Sequence, residues 1–152
     1  MPSVTYRAVV DHPPETVFAF VSDAENNPRW HAHVRETRWL DEGPTRLGRR
    51  GRQFGHLFGR DWAFVAEVVE FEPPRLVTFQ VIEGYKVRTS IRTEPAASGA
   101  ATDMTLTVTS PRILGDRIDR FVSMLMVRSQ RGRIEGDTER LRKALDEEAA
   151  TA

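Results

Sequence analysis

The residues best suited to chemistry lie in Asn27–His33, NPRWHAH, where His31 and His33 stand two apart directly after Trp30. On an extended segment, positions two apart face the same side. Both imidazoles would then reach one metal ion. A structural zinc site needs four ligands and a catalytic one three. The chain has no cysteine, so further ligands would have to come from His12, His56 or a carboxylate such as Glu36. The expectation is that no metal binds here. The stretch reads as a polar loop leading into a strand, anchored by a buried Trp30.

A second cluster, Arg46, Arg49, Arg50 and Arg52, could meet phosphates. It lacks the interleaved aromatic platform of a single-strand binder, and it reads as a solvated hairpin. The whole chain carries 22 basic and 22 acidic residues. A nucleic-acid partner would call for a basic excess, so none is expected. With no cysteine, disulfides and thiol chemistry are excluded.

These residues must be positioned by one domain of 152 residues, a length that buries a core without staples. We expect a single domain over 1–148 and a flexible tail over 149–152. No run approaches the roughly 18 apolar residues of a membrane span, and the N-terminus lacks a charged region followed by an apolar core. No membrane insertion and a cytoplasmic location are therefore expected.

Along the chain, 3–11 alternates as a strand. Pro13 and Pro14 suit a helix start, with Val17, Phe18 and Val21 as its apolar stripe. Ser22 or Asp23 can cap a second short helix, which Pro28 should end. Six strands follow: VRETRWL, RRGRQFGHLF, RDWAFVAEVVEFE, LVTFQVI, YKVRTSIRTEP and TDMTLTVTS. Short turns make consecutive strands antiparallel neighbours, and a meander this long must curl. After Pro111 the pattern is helical to the end, and this long helix has to cover the concave face.

That helix carries two stripes. Ile118, Phe121, Val122 and Leu125 share one face with Gly132 and Gly136; Val127, Ile134, Leu141 and Leu145 share roughly the opposite one. Either it bends near the glycines or both faces are buried, so monomer and homodimer both stay open.

The order of elements and four motifs give a resemblance over roughly 3–147. The motifs are HPPETVFAFVSDAENNPRW, LGRRG after an acidic turn, EVVEFEPPRLVTF, and TERLRKALDE in the last helix. The chain resembles the polyketide cyclase/dehydrase and lipid-transport family of the START-like (SRPBCC, Bet v 1-like helix-grip) superfamily. It departs from many relatives at one turn, where SGAATD replaces a Gly-Gly-Thr turn. The resemblance implies an α+β helix-grip fold: a curled antiparallel sheet of about seven strands, two short helices and a long C-terminal helix. It also implies an apolar cavity between sheet and helix, and no cofactor. The matching motifs are structural and carry no catalytic signature.

Within such a cavity, Trp39, Phe54, Trp62, Phe64, Phe79, Tyr85, Phe121 and Leu125 are the expected lining. The expected partner is a small hydrophobic or aromatic molecule, lipid or polyketide-like. The alternative is an enzyme of the polyketide cyclase/dehydratase type. That chemistry needs a base near an acidic C–H and a donor to the developing enolate oxygen. His56 is the candidate base and Tyr85 the candidate donor, with Asp61 a possible partner of His56. A pair of this kind facing inward would favour the enzyme; its absence would favour a carrier.

Overall fold

A computed structural model describes residues 3–57, 59–97, 99–110 and 135–151. Seven strands form one antiparallel sheet: β1 (Ser3–Val10), β2 (Val34–Trp39), β3 (Arg50–Leu57), β4 (Arg60–Glu72), β5 (Leu76–Glu83), β6 (Arg88–Pro95) and β7 (Thr102–Thr109). Their order is β1-β7-β6-β5-β4-β3-β2. The meander β2 to β7 therefore pairs each strand with its successor, and β1 closes onto the last. Register shifts between Val34 and Glu36, Val65 and Ala66, and Val68 and Glu70. Such bulges sharpen local twist and bend a strand, which is what a curled sheet requires.

Helix α1 (Pro14–Val21) begins on a proline with Glu15 in its first turn and buries Val17, Phe18, Phe20 and Val21. A single 3-10 turn (Ala24–Asn26) follows, and the Asp23 side chain accepts the Glu25 amide to cap it. Helix α2 (Asn27–Trp30) then begins instead of ending at Pro28. The correction has a simple cause: a first-turn proline gives up an amide that lacks a helical partner anyway.

The last element, α3, is helical over 135–151. Leu141, Ala144 and Leu145 of α3 join one buried cluster with Val17, Trp30, Val77, Ile91 and Met104. Leu141 and Leu145 are fully buried, a gain of about 1.5–3 kcal/mol each. Polar contacts fix the helix along its length. His12 Nε2 lies 2.7 Å from Asp146 Oδ1, and Arg29 Nη1 donates to Glu148 Oε1 at 2.6 Å. The helical backbone continues through the alanines at 149–150 to 151; alanine is the best helix former. Residues 118, 121, 122, 125, 127, 132 and 134, on which the two-stripe reading of the long helix depends, lie outside the described residues. Among those described, no helix is long and apolar enough to cross a membrane.

In the arginine cluster Arg46, Arg50 and Arg52 are exposed, as a solvated hairpin requires, and Arg49 is the exception. Arg49 is buried, donates to Asp41 Oδ1 and to the Asp41 carbonyl at 2.8 Å each, and lays its guanidinium 4.2 Å from the Trp39 ring centre. Arg46 also pairs with Asp41, and Arg50 lies 3.8 Å from Glu67. The hydrogen bond from Arg49 is the main influence holding the Asp41 carboxyl below its ordinary range.

Candidate functional site

Strand β3 builds the site through what it leaves out. Its residues alternate so that Gly51, Gln53 and Gly55 face inward, while Arg52, Phe54 and His56 face outward. A Cβ on Gly51 would sit 3.4 Å from the Trp39 ring. One on Gly55 would sit 2.0 Å from Trp62 Cζ2 and 2.2 Å from the His33 carbonyl oxygen. Gly55 thus gives Trp62 room to lie across the strand, a use of glycine known from close approach in sheets, whereas at Gly51 a side chain would make only an ordinary contact with Trp39. Trp39 is held by its Nε1 donating to Asp23 Oδ1 at 2.9 Å. Trp62 stacks on Phe64, with ring centres 5.0 Å apart and planes 9° from parallel.

The result is a cavity of about 550 Å³, within the usual size of a small-molecule site. Its apolar wall comes from Trp39, Trp62 and Phe64, from Phe79 and Val81 on β5, and from Ile91, Leu106 and Val108 on β6 and β7. Tyr85 also lines it, but it belongs to the turn before β6, follows Gly84 at φ 113°, and is half exposed.

One corner is polar, and it contains the two histidines of the opening motif. Asn27 and Thr37 both donate to Gln53 Oε1 at 2.8 Å. That fixes the amide so that Nε2 is its remaining group, with no partner among the described residues. His31 Nδ1 lies 3.1 Å from Asp137 Oδ2. The same carboxylate accepts the Ala32 amide at 3.2 Å and Arg140 Nη1 at 3.0 Å. The Asp137 side chain is only 7% exposed. Trp62 Nε1 is buried in the wall without a partner among the described residues, which costs about 1–3 kcal/mol unless something accepts its hydrogen.

Of the residues singled out from the sequence, Trp39, Trp62, Phe64, Phe79 and Tyr85 stand on the cavity wall. Phe54 does not. It is 39% exposed on the opposite face, because the inward parity of β3 belongs to the glycines. His56 shares that outward parity. Its Nδ1 lies 2.8 Å from Asp61 Oδ1, but the two side chains are 41% and 82% exposed. They form a surface pair, and its hydrogen bond holds the Asp61 carboxyl below the usual carboxylate range. Neither stands on the cavity wall, so neither is placed as base or partner there. Phe121 and Leu125 lie outside the described residues.

Sequence reasoning placed His31 and His33 on a solvated loop, whereas both line the cavity. Trp30 is 1% exposed, in keeping with its role as anchor. Asn27, Thr37, Gln53 and Asp137 went unmarked. The pattern Gly-x-Gln-x-Gly was the available signal for Gln53. Asp137 gave none, since 106 positions separate it from His31. Among the described residues, no three His, Asp or Glu side chains are grouped to hold a metal ion.

The family model described as "Polyketide cyclase / dehydrase and lipid transport" matches residues 1–146. No curated protein matches the sequence. Among solved structures, TTHA0849 from Thermus thermophilus is 20% identical, with a TM-score of 0.72 over 94% of this chain and 99% of that one. The Zhui aromatase/cyclase from Streptomyces sp. R1128 is 14% identical, with a TM-score of 0.70 over 95% and 93%. A START superfamily protein from Mycobacterium smegmatis is 14% identical, with a TM-score of 0.73 over 95% and 97%. At these identities the likeness is one of fold.

Proposed function

The chain belongs to the polyketide cyclase/dehydrase and lipid-transport family, and from that membership we propose that it binds a small aromatic or lipid-like molecule in the cavity. The observation that carries this reading is the cavity itself: about 550 Å³, walled by aromatic rings, with polar groups gathered at one corner. Binding sites of this size bury most of a small ligand against apolar walls and orient it with a few polar groups. Here the wall favours a flat ring system, since Trp62 and Phe64 already stack nearly parallel. The corner favours an oxygen on the ligand, since Gln53 lines the cavity with its Oε1 engaged and its Nε2 left to donate.

Native mass spectrometry of freshly purified protein tests this, followed by incubation with 2-naphthol. The expected result is an added mass, co-purified or supplied, that leaves on denaturation. A bare chain in both conditions would contradict the reading.

The second reading, a cyclase or dehydratase acting on such a ligand, gains nothing from His56 and Asp61 at the surface. It gains from His31 and Asp137, which meet at the cavity.

A further inference from the structure

We propose that the outer face of the β2–β3 hairpin docks on an anionic lipid bilayer, with Arg38 and Arg52 meeting lipid phosphates and Leu40, Leu47 and Phe54 entering the interface. The contact is made at the membrane surface, by side chains that the cavity does not use.

The hairpin collects charge of one sign. Between 35 and 52 the sequence has six arginines and three acids, in a chain whose net charge is zero. An asymmetry of this kind points to an anionic partner. The ladder then sets Arg38 directly opposite Arg52, and like charges in that relation repel. Both are exposed, and Arg52 has no ion pair or hydrogen bond among the described residues. Arg38 pairs with Glu36, but both side chains are largely exposed. An exposed ion pair holds its members weakly, so Arg38 can exchange its carboxylate for a phosphate, which the guanidinium fork suits. Arg50, on the same face, lies 3.8 Å from Glu67.

Apolar side chains stand among these charges. Phe54 is next along the ladder, opposite Glu36, with the outward parity of Arg52. Leu40 extends β2 by one residue, its amide donating to the Arg50 carbonyl at 2.9 Å. Its neighbour Trp39 lines the cavity, so Leu40 faces out with Arg38. Leu40 is 54% exposed, and Leu47, in the connection between the strands, is 64% exposed. Three of the five large apolar side chains exposed among the described residues therefore belong to this one hairpin. Gathered exposed apolar groups with polar neighbours mark an interaction surface.

The pattern selects the partner. Arg38 and Arg52 separate Leu40 from Phe54, so there is no continuous apolar stripe for a protein to cover. Addition of a peptide strand is discouraged as well. Strand β2 ends the sheet, but it is six residues long and carries the bulge between Val34 and Glu36, and both features blunt an edge. A bilayer makes neither demand. It presents phosphates over a broad plane, with an apolar layer beneath that single side chains can reach.

Co-sedimentation with vesicles reads the contact. In low salt the wild-type protein should pellet with vesicles of equal parts phosphatidylcholine and phosphatidylglycerol, and stay in solution with phosphatidylcholine alone. About 1 M salt, where the Debye length falls to about 3 Å, should release it. An arginine near an anionic surface adds about fivefold, so Arg38→Gln combined with Arg52→Gln should weaken binding about 25-fold. Leu47→Ser should weaken it severalfold in low salt. Arg7→Gln combined with Arg92→Gln removes the same charge from β1 and β6 and should bind as wild type. Melting temperatures beside wild type separate lost docking from lost fold.

Wild-type protein that stays in solution with the anionic vesicles, or pellets equally with both kinds, would overturn the proposal. So would equal losses from the hairpin change and the β1–β6 change. Capture by immobilised poly-L-glutamate without capture by vesicles would overturn it in favour of an acidic polypeptide.

Discussion

Gly55 faces Trp62 across the ladder between β3 and β4, and the indole lies so close that a Cβ on Gly55 would be 2.0 Å from its Cζ2. The His33 carbonyl closes the other side at 2.2 Å, and the same carbonyl accepts the His56 amide at 3.0 Å. One missing side chain therefore sets both the tryptophan wall and the approach of the histidine loop.

Gly55→Ala should destabilise the fold by about 1–3 kcal/mol, as overpacking does, because neither the backbone carbonyl nor the stacked indole has a cheap retreat. Urea unfolding measures it. A midpoint equal to wild type would mean that Trp62 does not lie over this glycine. Gly55→Ala combined with Trp62→Ala should retain the penalty owed to the carbonyl.

Trp30→Ala should cost about 3–5 kcal/mol, the range for truncating a large buried aromatic. Trp30 is 1% exposed and packs in the cluster with Leu141 and Leu145. Thermal melting checks this, and a loss below about 1 kcal/mol would remove Trp30 from the core.

The inward face of β7 was legible because the apolar Met104 and Leu106 mark it, and both are buried. Trp30 was legible for the same reason. Strand β3 was not, because its inward face is marked by glycines. Phe54 and His56, the chemically conspicuous residues, take the outward parity, and a one-residue shift moves every side chain to the other face. The pair His31–Asp137 was illegible because a tertiary contact across 106 positions leaves no local pattern. Arg49 looked solvated because a charge run usually is. Its burial depends on Asp41 and the face of Trp39, which only the folded hairpin brings to it.

Acid should weaken the hairpin through Asp41. The hydrogen bond from Arg49, with Arg46 beside it, lowers the folded-state pKa of this carboxyl. A lowered value means that the contribution is complete above the unfolded carboxylate's pKa and is lost as pH falls through the folded one. Asp41→Asn should therefore melt below wild type at neutral pH, with the gap closing in strong acid. Melting curves across the acid range decide it, and a gap independent of pH would contradict the assignment.

Gly136→Ala should stabilise, by up to about 1 kcal/mol, since glycine inside a helix costs that much relative to alanine. The added Cβ meets only Arg140 Nη1 at 3.6 Å, an ordinary contact. A lower melting temperature in the variant would show that α3 needs a close neighbour at this position.

Calorimetric titration of 2-naphthol into the wild type and into Ala66→Trp tests the central claim most directly. Ala66 lines the cavity, and an indole there would occupy the space a ligand needs. The account predicts saturable one-to-one binding by the wild type, with the negative heat-capacity change of apolar burial, and its loss in a folded Ala66→Trp. No saturable binding by the wild type, or equal binding by both, would contradict it.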